Sequence, residues 1–171
     1  MKDLVLLYDN CCIYEIVTLN YFLEYTKSNI LFCSPHGSTV RSMEGYSLNV
    51  DLPLERVDLT NVRSFIIPGG KIAEIDNDQV RGVIRSLFDE KALIAAICAG
   101  VDILEKAGIL QGKRSTRCPQ YDCVRDGNII TARANAYVDF AIEVAKALHL
   151  FSNEADLQET IAFWKEHKRA Q

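Results

Sequence analysis

The sequence predicts a doubly wound, three-layer α/β sandwich with a mainly parallel sheet and a strand-to-helix corner that carries a cysteine. Three observations lead there. Short runs such as Leu93-Ile94-Ala95-Ala96-Ile97 have strand length and no polar alternation, as expected of strands covered by helices on both faces. These runs alternate with stretches of helical periodicity. One run ends on Cys98-Ala99-Gly100 and passes at once into the helical stretch Val101-Asp102-Ile103-Leu104-Glu105-Lys106, the layout of a nucleophile elbow.

Taken in order, residues 3–8 form a short buried strand closed by the turn pair Asp9-Asn10. Ile13 to about Thr26 is helical, with Ile16, Leu19 and Leu23 on one stripe. Asn29 to Ser34 is the second strand, ended by Pro35-His36-Gly37, and residues 38–52 alternate loosely as a ribbon on the edge or flank of the sheet. Val62 to Ile67 is the third core strand and runs into Pro68-Gly69-Gly70. Val80, Val83, Ile84, Leu87 and Phe88 mark an amphipathic helix, followed by the Cys98 strand and a helix to about Gly108. Tyr121–Val124 and Asn128–Thr131 flank Arg125-Asp126-Gly127 as a hairpin. Helices follow over about 136–150 and 154–169.

The whole chain, residues 1–171, reads as one domain, without repeats or linkers and long enough for a substantial core. A net charge of −4 with no basic stripe argues against nucleic acid as a partner. No stretch approaches the ~18 consecutive apolar residues of a membrane span. The short apolar start is too brief for a secretion signal, so the expected location is the cytoplasm, with the six cysteines reduced.

In open α/β sheets, ligands bind beyond the carboxyl ends of the strands at a switch point. A flavodoxin-like strand order would bring three loops together there: Asp9 to Glu15, Pro68-Gly69-Gly70 and Cys98-Ala99-Gly100. Cys98 at a helix N-terminus feels the positive end of the dipole, which favours thiolate. Gly69-Gly70 and Ala99 can direct backbone N–H groups at an oxyanion, and Glu15 can move a proton or hydrogen-bond the sulfur. The plainer readings are a core cysteine, a solvated first-turn carboxylate and a simple turn; the elbow context outweighs the first of these for Cys98. Cys11, Cys12, Cys118 and Cys123 have no zinc-ligand spacing and read as structural thiols. His36, His149 and His167 fall on a turn and on helix ends, where no triad base is wanted.

At these residues the chain resembles the ThiJ/PfpI superfamily, closest to the protein deglycase branch, which shares the class I glutamine amidotransferase-like fold. The resemblance rests on Phe65-Ile66-Ile67-Pro68-Gly69-Gly70, on Ala96-Ile97-Cys98-Ala99-Gly100 and on Glu15, and it extends to Gly108–Lys113 and Asn128–Arg133. It implies a homodimer, a reactive and oxidisable Cys98, a protonated Glu15 on the sulfur, oxyanion amides from Gly70 and Ala99, and no cofactor or metal. The departures are as telling. The peptidase-like branch has a histidine where Ala99 stands, and the deglycase branch brings a histidine to the site where this chain has Arg117-Cys118-Pro119. Cys118 is therefore expected in the pocket.

The function expected is Cys98-dependent chemistry on small reactive carbonyls, glyoxalase- or deglycase-like, with a small-molecule substrate and Glu15 as the proton carrier. The rival is a non-enzymatic redox sensor or stress-response protein in which oxidised Cys98 is resolved by Cys118. A third possibility is a pocket that holds a metabolite without turnover.

Overall fold

The computed structural model describes residues 1–169. Its strands and helices are β1 (Lys2–Leu6), α1 (Tyr14–Tyr25), β2 (Ile30–Ser34), β3 (Val40–Arg41), β4 (Ser47–Leu48), β5 (Leu52–Pro53), β6 (Val62–Ile67), α2 (Asp78–Asp89), β7 (Leu93–Ile97), α3 (Gly100–Lys106), β8 (Cys123–Asp126), β9 (Ile129–Ala132), α4 (Tyr137–Ala147) and α5 (Glu154–Trp164). Seven strands form one sheet in the order β5-β2-β1-β6-β7-β9-β8. All neighbours are parallel except β8 and β9, and β3 and β4 make a separate antiparallel ribbon. The expected sandwich is what forms. All residues of β7 and β9 are buried, because α1 and α4 pair on one side of the sheet while α2 and α3 pack together on the other.

The chain adds β2 on one side of β1, then crosses to place β6 on the other side. That reversal puts the loops after β1 and β6 next to each other, with the loop after β7 beside them. Cys11 and Gly70 form an isolated antiparallel bridge, fastened by Cys12 N–H to Gly69 O (2.8 Å) and Lys71 N–H to Asn10 O (3.1 Å).

Three boundaries differ from the sequence expectation, each for a local reason. The hairpin turns on Gly127-Asn128, since Asp126 already pairs with Ile129; Arg125 and Asp126 belong to the strand. α4 stops short because His149 takes φ +55°, letting Leu150 N–H bond back to Ala145 O. α5 ends likewise: His167 has φ +55°, and Lys168 N–H bonds to Ala162 O. Two of the three histidines thus serve as helix terminators, and the third, His36, is exposed on a turn.

Candidate active site

Cys98 sits at the turn between β7 and α3 with φ +57°, in the left-handed region. A side chain there costs on the order of 1–3 kcal/mol unless its surroundings hold it. Here the surroundings do so. Cys98 N–H bonds to Ala132 O (2.8 Å), extending the β7–β9 ladder, and Val101 N–H returns to Cys98 O. Gly100 lets the helix start close to β6: a Cβ at that position would lie 2.6 Å from Ile67 O and 2.8 Å from Pro68 O. The small residues after the cysteine are thus a packing requirement that presents the thiol, partly exposed, at the carboxyl end of the sheet.

Glu15, in the first turn of α1, is 1% exposed. Its Oε2 accepts a hydrogen bond from Gly69 N–H at 2.7 Å, while Oε1 is buried without a partner. The carboxyl and the thiol meet over Gly69. A Cβ on that glycine would lie 2.7 Å from Cys98 Cβ, 2.7 Å from Glu15 Oε2 and 3.0 Å from Cys98 Sγ. Gly70 is needed for its backbone: φ is +132°, and a Cβ would strike Asn10 O at 2.2 Å. Tyr8, buried at the end of the first strand's run, donates from its hydroxyl to Pro68 O (2.8 Å) and so fixes the start of this turn.

The electrostatics run against the sequence expectation for the free thiol. Burial first, then the neighbouring Glu15 carboxylate, push Cys98 up to about 11; the Ala99 N–H works the other way. Burial also raises Glu15 above its ordinary value, opposed by the Gly69 N–H and by the neighbouring Cys98 and Tyr14 side chains. A helix of seven residues starting two positions later cannot outweigh a like charge in direct contact. The two groups therefore titrate as a pair. An ionised Glu15 holds the proton of Cys98 more tightly.

Gly69 was expected to offer an oxyanion donor, yet its N–H is committed to Glu15. The Gly70 N–H has no partner among the described residues, and the Ala99 N–H faces the sulfur. Cys118 lies on the loop after α3. It lines a surface depression with Glu105, Leu110, Lys113, Arg114 and Tyr121. Arg117, beside it, folds back onto α3 and pairs with Asp102 and Glu105 (2.9 Å to Glu105). No histidine replaces the one expected, and the described residues hold no cluster of His, Cys, Asp and Glu able to bind a metal ion.

Sequence reasoning missed two residues. Tyr8 was taken only as the end of a strand. Cys12 was set aside as structural, but Glu15 and Cys98 both weigh on its ionisation: burial, then Glu15, Glu44, Cys98 and Cys11 push it up to about 12. Its Sγ touches Met43 Sδ at 3.7 Å, on the turn of the β3–β4 ribbon, whose Glu44 accepts from Tyr14 N–H (3.0 Å). The adjacency of Cys12 to a loop expected at the switch point was the available signal.

The sequence profile of the DJ-1/PfpI family matches residues 1–147, which include every residue of this site. The chain belongs to the DJ-1/PfpI family. Among curated members, it is 30% identical over 121 residues to a deglycase of Pyrococcus abyssi, an alignment covering 70% of this chain and 73% of the relative. It is 31% identical over 121 residues to a deglycase of Thermococcus kodakarensis, covering 68% and 71%. Among solved structures, a DJ-1 superfamily protein of Agrobacterium tumefaciens superposes with a TM-score of 0.83 at 27% identity, over 98% of this chain and 100% of that one. A thiJ/pfpI family protein of Bacillus anthracis gives 0.85 at 22% identity, over 98% and 91%, a likeness of fold.

Proposed function

We propose that the Cys98 thiol attacks small reactive aldehydes of the methylglyoxal kind in a cofactor-free, glyoxalase- or deglycase-like reaction. One observation carries this reading: a buried Glu15 carboxyl, with one oxygen held by Gly69 N–H and the other unpaired, stands against the Cys98 thiol at the elbow. The deglycase names of the Pyrococcus abyssi and Thermococcus kodakarensis relatives support the substrate class.

Proton exchange between Glu15 and Cys98 supplies the nucleophile without a histidine. With the proton on Glu15, the sulfur is the nucleophile, and its lone pair forms the bond to the aldehyde carbon. The carbonyl electron pair moves to oxygen, where the Gly70 and Ala99 N–H groups receive it. Glu15 delivers its proton to that oxygen, and as a carboxylate it takes the C–H proton and returns it to the neighbouring carbonyl carbon. One carbon is thereby oxidised and its neighbour reduced, so no external oxidant is needed. Water then cleaves the thioester, giving a hydroxy acid and the free thiol.

The decisive measurement is lactate formed from methylglyoxal by the wild type and by Cys98→Ser. The substitution is expected to remove enzymatic turnover; equal rates would overturn the reading.

In the same reading the molecule works in the cytoplasm as a homodimer joined through the outer face of α1. Tyr14, Val17 and Tyr21 there are 45%, 53% and 53% exposed on one stripe. Sedimentation velocity tests this, with Val17→Asp expected to favour the single chain.

A further inference from the structure

The Cys11–Gly70 bridge sets a register with a chemical consequence. One step along it, Cys12 N–H bonds to Gly69 O, so Cys12 and Gly69 stand opposite each other across two antiparallel segments. Residues directly opposite in such a pair project to the same face, with Cβ positions ~4.5–5.5 Å apart. On Gly69 that position is the one 3.0 Å from Cys98 Sγ and 2.7 Å from Glu15 Oε2. By this register the Cys12 side chain leaves the backbone on the face of the gap that the glycine leaves, and its Sγ rests against Met43 Sδ at 3.7 Å. Both thiols are partly exposed, at one mouth of the site. The charges of Glu15 and Cys98 both raise the Cys12 thiol, which agrees with this placement.

From this we infer that Cys12 is the resolving thiol of Cys98, and that the two close a disulfide when the protein meets a hydroperoxide. The Cys98 thiolate displaces hydroxide from the peroxide and becomes a sulfenic acid, the peroxide O–O bond taking up the electron pair. The Cys12 sulfur then attacks Cys98 Sγ. The S–O bond breaks, the S–S bond forms, and the hydroxyl leaves as water with the Cys12 proton. Glu15, on the same gap, is the group placed to carry that proton. The inference shares one premise with the proposed function, a nucleophilic Cys98, and goes beyond it by assigning a second thiol. Cys118, the partner suggested by the sequence, is the rival that the test separates from Cys12.

The product is a site closed to carbonyls and protected from irreversible oxidation. A thiol reductant, such as a dithiol, would reopen it. Cys12 must lose its proton to attack, which is why a proton acceptor on the same gap is needed.

The test uses the full chain treated with stoichiometric hydrogen peroxide, blocked with an alkylating agent and mapped by mass spectrometry without reduction. A Cys12–Cys98 cross-linked peptide is expected in the wild type and in Cys118→Ser. In Cys12→Ser the cross-link should vanish and Cys98 should pass on to sulfinic acid. A Cys98–Cys118 or Cys11–Cys12 bond as the main product would overturn the assignment. So would equal sulfinic acid in the wild type and Cys12→Ser. Should Cys12→Ser fold poorly, loss of the cross-link after selective blocking of the wild-type Cys12 thiol gives the same readout. Alkylation of Cys98 without peroxide reads the shared premise separately. If Cys98 alkylates normally and no Cys12–Cys98 bond forms, the inference fails while the proposed function stands.

Discussion

Two buried carboxylates mark the two ends of the sheet, and they are treated in opposite ways. Asp3, fully buried on β1 near the amino ends of the strands, is met from every side. Its Oδ1 accepts from Arg63 Nε (3.0 Å) and Ser64 Oγ (2.7 Å), its Oδ2 pairs with Arg63, and Arg63 is itself tied to Ser28 (2.9 Å). Glu15, equally buried at the carboxyl ends, has one backbone donor and an oxygen with none. A saturated carboxylate is a rivet. An under-satisfied one beside a thiol stores a proton whose position can change, which is what a reacting site needs.

The comparison predicts opposite phenotypes, and they should be the largest effects. Asp3→Ala strands the Arg63 guanidinium, and is expected to lower stability by about 3 kcal/mol, the low end for a broken buried pair because Arg63 is partly exposed. Turnover per folded molecule should hold. Glu15→Gln should do the reverse, cutting turnover by ~10²–10⁴ with little loss of stability. Urea unfolding together with methylglyoxal kinetics on both variants would break the comparison if Asp3→Ala lost activity while stable, or if Glu15→Gln kept it.

A smaller effect is expected at the glycine between the two reacting groups. Gly69→Ala places a methyl against Cys98 Cβ and Glu15 Oε2, overpacking worth about 1–3 kcal/mol. It should also part the carboxyl from the sulfur, so Cys98 alkylation should lose its dependence on Glu15. An unchanged melting temperature and an unchanged alkylation profile would show that the gap is wider than its contacts imply.

The smallest effect is in the pH dependence of stability. Burial raises the folded-state pKa of Glu15, so the folded chain holds this proton more tightly than the unfolded chain, where the value is ~4.3. The resulting stability is fully present below that unfolded value and is lost as pH rises through the raised folded value. Wild-type stability should therefore fall relative to Glu15→Gln across this window. Removing the carboxylate should also bring Cys98 below about 11, because its charge is the second largest cause of the rise. A parallel stability profile for the two proteins would contradict the burial of an ionisable Glu15.

The parts of the site legible in the sequence are those written in local backbone chemistry. The elbow could be read because an apolar strand, a cysteine, an alanine and a glycine have one economical arrangement, and Gly100 proves to be needed against Ile67 O and Pro68 O. Gly69-Gly70 could be read as a close approach, though not which amide holds Glu15 and which is left for a ligand. The hairpin was placed within two residues, because two neighbouring dipeptides could each make its turn.

What the order of residues determined alone was the layering, the elbow and the candidates Cys98 and Glu15, since periodicity and turn chemistry act over a few neighbours. Tertiary structure decided the rest. The proton balance of Cys98 depends on burial and on a carboxylate from another element, both of which overrule the dipole of a short helix. Cys12, read from the sequence as a structural thiol, was brought opposite Gly69 by the pairing of two distant loops. That depends on which side of a two-segment pairing a side chain faces, and a register between residues as distant as Cys12 and Gly69 is set only when the sheet closes.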